Sequence, residues 1–135
     1  MELSALPDAA SHHLYPAFVE MLEPAVTDGS PAFIDGIDTM WIAYEGGTVW
    51  GAATTRLRTD DTAELRLAGG GRFRDWMGLL DEAVSQWAVA NGKSRIAMVG
   101  RRGWARFANA YGWVALGTND EGKVRFEKAL AGRER

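Results

Sequence analysis

The chain has 135 residues, 47% of them hydrophobic and six of them tryptophan, enough apolar material for one compact domain. A formal charge of −3 and a pI near 5.4 give no overall pull toward a polyanion, so neither nucleic acid nor an anionic membrane is an expected partner. The absence of cysteine excludes disulfides, thiolate catalysis and thiolate zinc sites.

The opening Met1-Glu2-Leu3-Ser4 has no basic flank, and no run of about 18 apolar residues occurs, so the product is expected to stay in the cytoplasm. Both ends read as loose. Leu14, Phe18, Val19 and Leu22 recur at helical spacing and predict a helix over residues 8–26, with Pro16 in its first turn or at a kink. Asp28-Gly29-Ser30-Pro31 is turn chemistry, and a short helix or irregular piece over 31–36 leads into the sheet.

Met40 to Tyr44 and Thr48 to Thr55 are rich in aromatic and β-branched residues, and Glu45-Gly46-Gly47 between them supplies the positive φ of a tight hairpin. A third strand is expected over 62–68, its buried face carrying Leu65 and Leu67 in alternation with Glu64 and Arg66. After Gly69-Gly70-Gly71, the positions Trp76, Leu79, Leu80, Ala83, Val84, Trp87 and Ala88 predict the main helix, with Asp75 as cap and Asn91-Gly92 as stop. A buried strand over 95–99 follows, then a helix carrying Trp104, Phe107, Ala108 and Tyr111. Strands over 113–116 and 124–127 enclose the turn Thr118-Asn119-Asp120-Glu121-Gly122. The order predicts one α/β (α+β) domain over residues 1–135, with a mixed, mostly antiparallel sheet flanked by helices. Its strands at 62–68 and 95–99 should be parallel neighbours joined by a right-handed crossover through the main helix.

That order, with the string Gly100-Arg101-Arg102-Gly103-Trp104-Ala105-Arg106-Phe107 and the following Tyr111-Gly112-Trp113, resembles the GNAT acyltransferase superfamily over residues 40–130. The resemblance implies transfer of an acyl group from acetyl-CoA to a primary amine. It also implies an oxyanion held by backbone N–H near Leu67 and Ala68, and a pyrophosphate cradle formed by Gly69, Gly70, Gly71, Arg72, Phe73 and Arg74. Glycine lets backbone approach phosphate closely, a helix N-terminus adds donors and partial positive charge, and guanidinium groups add charge-assisted contacts. The same run also suits a plain strand-to-helix turn. It departs from the family's usual Arg or Gln followed by two spaced small residues. With the downstream Gly-Arg-x-Gly-Trp-x-Arg, it resembles the small GNAT-like proteins of tailed phages and prophages.

In many family members a tyrosine general acid lies five residues before the aromatic of the closing Gly-Phe or Gly-Trp. Counting back from Trp113 gives Ala108, which has no proton to donate. Tyr111 is then a displaced acid or a packing residue. Glu64, on the central strand, and Glu45, ending the neighbouring one, are candidate bases for the attacking ammonium, or else solvated carboxylates. His12-His13 should point to different sides of a helix, and with no matching carboxylate cluster no metal site is expected. Arg101, Arg102 and Arg106 form either a basic ridge with Arg72 and Arg74 or a solvated surface. Of Trp41 and Trp50, whichever faces outward is a candidate protein contact.

Two functions stay open. One is an acetyl-CoA-dependent N-acyltransferase in the host cytoplasm. The other is a catalytically inactive GNAT-like component of a phage particle or its assembly, located in the virion and contacting phage structural proteins or itself.

Overall fold

The turn residues set the first half of the sheet. In the computed structural model, which describes residues 1–130 apart from the side chain of Phe107, Gly46 and Gly47 take φ of 60° and 79° between β2 (Asp38–Glu45) and β3 (Thr48–Leu57). These left-handed values match the twist of the flanking strands. The antiparallel run continues into β4 (Thr62–Gly70), and β1 (Glu2–Leu6) pairs antiparallel with β2 on the other side. The N-terminus is thus a strand, held by Glu2 opposite Tyr44 and Leu6 opposite Met40, rather than the loose end its composition suggested.

The predicted first helix is broken into a 3-10 turn at Ala9–Ser11, α1 (Tyr15–Leu22) and a second 3-10 turn at Glu23–Ala25. Pro16 lies in the first turn of α1, where its missing N–H costs no helical bond. Residues 31–36 are irregular. Helix α2 (Phe73–Ala90) connects β4 to β5 (Arg95–Gly100), which lies parallel to β4. After α3 (Ala105–Ala110), strands β6 (Val114–Thr118) and β7 (Val124–Ala129) complete a seven-stranded sheet of order β1-β2-β3-β4-β5-β7-β6.

Each face of the sheet has its own apolar cluster. Phe18 and Leu22 of α1 pack with Met40 and Ala52, while Trp76, Leu80, Val84 and Ala88 of α2 pack with Ala53, Ala63, Ile96 and Phe126. Leu65 and Leu67 do not share a face as alternation implied. Thr55 pairs with Leu65 and Thr54 with Leu67, leaving Arg66 as the extra residue of a bulge. Leu65 therefore joins the α2 side and Leu67 the α1 side.

Candidate functional site

Parallel pairing of β4 with β5 ends early. The register runs from Thr62 opposite Arg95 to Leu65 opposite Met98 and then stops. Beyond it β4 stays with β3 as far as Gly70, while β5 stays with β7 as far as Gly100. The two strands diverge from the Arg66 bulge onward, and this split opens a cleft of about 540 Å³. Backbone along the split has no ladder partner across it, so its polar groups are available to a bound molecule. A second cavity, of about 380 Å³, lies along β4, β5 and β7 and is walled by Thr27 and Asp28 on one side and the β6–β7 turn on the other. The two meet where β4 and β5 part, and both are lined by Leu65, Leu67, Met98 and Val99.

Leu67, Ala68, Gly69, Gly70 and Phe73 line the first cleft; Gly71, Arg72 and Arg74 do not. The glycines answer first to packing. A Cβ on Gly69 would strike the carbonyl of Met21 at the end of α1. One on Gly70, whose φ is +118°, would strike Gly51 Cα and the Trp50 carbonyl on β3. The Gly71 N–H is already spent on the Trp50 carbonyl at 2.7 Å. Arg72 is the left-handed residue that starts α2, in place of the expected cap Asp75. Its Nη1 donates to Glu45 at 2.7 Å, its Nε donates to Asp75 at 2.7 Å, and its guanidinium lies over the Trp50 ring. Arg72 thus fastens the loop to the β2–β3 hairpin instead of pointing into the cleft. The Trp76 indole adds a bond to the Gly71 carbonyl. No side chain caps α2, whose first residue, Phe73, faces the cleft.

Across the opening, the ring of Phe73 stacks on Trp104 with centroids 5.4 Å apart. Trp104 lies against Gly100, where a Cβ would sit 2.9 Å from the indole. Arg101 is exposed at the rim of the cleft, and Arg102 and Arg106 are exposed but lie outside its lining.

The candidate acid and bases fall in different places. Glu64 lines the second cavity and accepts from Arg58 Nε at 2.9 Å. Glu45 lies off both cavities. Hydrogen bonds from the N-terminal ammonium and then Arg72 hold its carboxyl down at about 2, so it is a clamp and a poor proton acceptor. The Tyr111 ring packs over Gly78 of α2 and borders a small apolar hollow with Met77 and Ala108; the hollow shares Leu65, Phe73, Met98 and Trp104 with the first cleft, while Tyr111 itself lines neither larger cavity. Ala108 is buried in the α2-side core.

Arg66 lines both cavities, and its guanidinium is held by Asp38, whose fully buried carboxylate accepts from Arg66 Nη1 at 2.9 Å, Arg56 Nε at 2.7 Å and the Ile34 N–H at 2.8 Å. The His12 and His13 rings stack at 4.6 Å instead of diverging, because they lie in a turn and not a helix. Among the described residues no cluster suited to a metal ion forms, and no helix is long and apolar enough to cross a membrane. Trp41 is buried and bonds to Thr55, whereas Trp50 is half-buried beneath Arg72. Sequence reasoning missed Lys123, which lines both cavities, and the Met98–Gly100 side of the cleft. The one available signal for the latter was the expected parallel crossover, because strands paired in that way can part at one end.

No protein-family model and no curated protein matches the sequence. Solved structures do match. An aminoglycoside 6'-N-acetyltransferase complexed with coenzyme A aligns at TM-score 0.78 and 14% identity over 100% of both chains. The aminoglycoside 6'-N-acetyltransferase from Enterococcus faecium gives 0.77 and 14%, again over 100% of both. An IAA acetyltransferase from Bacillus cereus ATCC 14579 gives 0.71 and 14%, over 96% of this chain and 99% of that one. At such identities the likeness is one of architecture, and on it the chain has the α/β GNAT fold, a mixed seven-stranded sheet flanked by helices.

Proposed function

We propose that the protein is an acyl-CoA-dependent N-acyltransferase that passes an acetyl group to a primary amine. The carrying observation is the pair of cavities that meet where β4 and β5 part. A reaction between two bound molecules needs such an arrangement, because holding both partners at one point replaces a bimolecular encounter. In this reading the first cleft takes acetyl-CoA, the thioester supplies the activated acyl carbon, and the second cavity takes the amine. That two of the matched structures are complexes with coenzyme A supports this choice of cofactor.

The uncapped start of α2 and the exposed Arg101 favour the phosphates at the mouth of the first cleft. Backbone N–H near Leu67 and Ala68, beside the bulge, is positioned to stabilise the oxyanion. Glu64 is the carboxylate assigned to receive the ammonium proton, directly or through water. The amine nitrogen then attacks the acyl carbon, the C–N bond forms, the C–S bond breaks, the nitrogen gives its second proton to solvent, and CoA leaves as a thiolate that takes up a proton from solvent.

A second reading has its own observations. Phe73 and Trp104 stack across the first cleft, and Ala108 supplies no acid. These favour a protein that retains the fold without turnover; in this reading it serves as a structural or assembly component of a phage particle, contacting phage proteins or itself. Calorimetric titration with acetyl-CoA, followed by thiol release with a panel of amines, separates the two. Saturable binding and turnover support the enzyme. A folded protein that ignores acetyl-CoA supports the scaffold.

A further inference from the structure

The charges along the second cavity are unevenly matched. Arg66 and Arg56 share the buried Asp38, and Arg58 pairs with Glu64. Lys123, at the end of the β6–β7 turn, and Arg125 of β7 have no carboxylate partner among the described residues, but Arg125 is exposed and lines only the second cavity. The backbone of Lys123 is tied down, with its N–H donating to Asn119 Oδ1 at 2.9 Å and its carbonyl accepting from the Asn119 N–H at 2.8 Å. Its side chain is half-buried, and among the described residues no carboxylate pairs with its ammonium. It lines both cavities and so stands at their junction. A lysine that is partly withdrawn from water and left without a counter-ion is stabilised by any anionic group that enters beside it.

We infer that Lys123 binds a carboxylate of the acceptor, so that the preferred substrate is an amine that also carries a carboxylate, as an amino acid does. This rests on the acyltransferase reading. The assignment to the acceptor, and not to a CoA phosphate, follows from position. Lys123 enters from the β6–β7 turn, which walls the second cavity, whereas the start of α2 and Arg101 belong only to the first. The same cavity is also lined by the carboxylates Asp28, Glu64, Glu121 and Glu127, which suit the ammonium end of such a molecule.

The test compares matched acceptors, phenylalanine against phenethylamine and leucine against isoamylamine, in the intact protein and in Lys123→Met and Lys123→Arg. The intact protein should favour the carboxylate-bearing member of each pair by about tenfold or more in kcat/KM, the effect of one charge-assisted contact. Lys123→Met should bring that ratio close to one, Lys123→Arg should keep most of it, and the calorimetric Kd for acetyl-CoA should move by less than about twofold. A ratio unchanged in Lys123→Met, or a preference for the decarboxylated amines in the intact protein, overturns the inference while leaving the acyltransferase reading in place. A weakened acetyl-CoA Kd with the ratio intact overturns it too and gives Lys123 to the cofactor. Absence of acetyl-CoA binding and of turnover with every acceptor overturns both.

Discussion

Arg72 and Glu45 are joined by a 2.7 Å ion pair that ties the start of α2 to the β2–β3 hairpin. The arginine that stands in the expected phosphate loop is thereby committed to the fold. Because Glu45 also accepts from the N-terminal ammonium, its carboxyl is held at about 2, against an ordinary 4.5. A depressed carboxyl stabilises the folded state fully above the unfolded value and loses that contribution as pH falls through the folded one. The melting temperature of Glu45→Gln should therefore lie below that of the unaltered protein by a constant, small margin from pH 7 down to about 5. The margin should narrow between about 4.5 and 2 and vanish below. Thermal melts of both proteins across that range check this, and a margin independent of pH would refute the clamp.

Asp38 offers a larger effect. Its carboxylate is fully buried and serves Arg56, Arg66 and the Ile34 N–H together. Removing one partner of such a network leaves charges without compensation, at a cost of roughly 3–5 kcal/mol. Asp38→Ala is expected to lower stability by about that amount in urea unfolding, with some loss of activity because Arg66 forms the bulge at which β4 and β5 part. A loss under about 1 kcal/mol would show that the network is dispensable.

Glu64 and Tyr111 separate the catalytic assignments. Glu64 lines the second cavity, while Tyr111 packs over Gly78 and lines only the small hollow beside the first cleft. Glu64→Gln should reduce kcat by about 10²–10⁴, the usual worth of a positioned acid or base. Tyr111→Phe should change it by less than about threefold. Steady-state kinetics with one amine at saturating acetyl-CoA measure both, and a reversal of the two effects would move the proton-transfer role to α3.

Several parts of this arrangement were legible in the residues, and others were not. Glu45-Gly46-Gly47 announced the hairpin, since only glycine takes φ of 60° and 79° in succession at no cost. The helical spacing from Trp76 to Ala88 announced α2, and the parallel neighbours β4 and β5 followed from it. Strand β1 was not legible, because Glu2-Leu3-Ser4-Ala5-Leu6 gains its conformation from β2, including a contact of Ser4 Oγ with Tyr44 Oη at 3.1 Å. The bulge at Arg66 was hidden for a related reason. One extra residue leaves composition unchanged, and what holds it is a carboxylate 28 positions away. The glycine run was visible, but its main cause was not: Gly69 and Gly70 make room for backbone from α1 and β3.

Calorimetric titration of the folded protein with acetyl-CoA decides whether the opening between β4 and β5 receives the cofactor. Saturable 1:1 binding is expected, competed by free CoA and accompanied by a change in tryptophan fluorescence, because Trp104 lines the same cleft. No saturable heat from a folded protein with acetyl-CoA raised to millimolar concentration would contradict it.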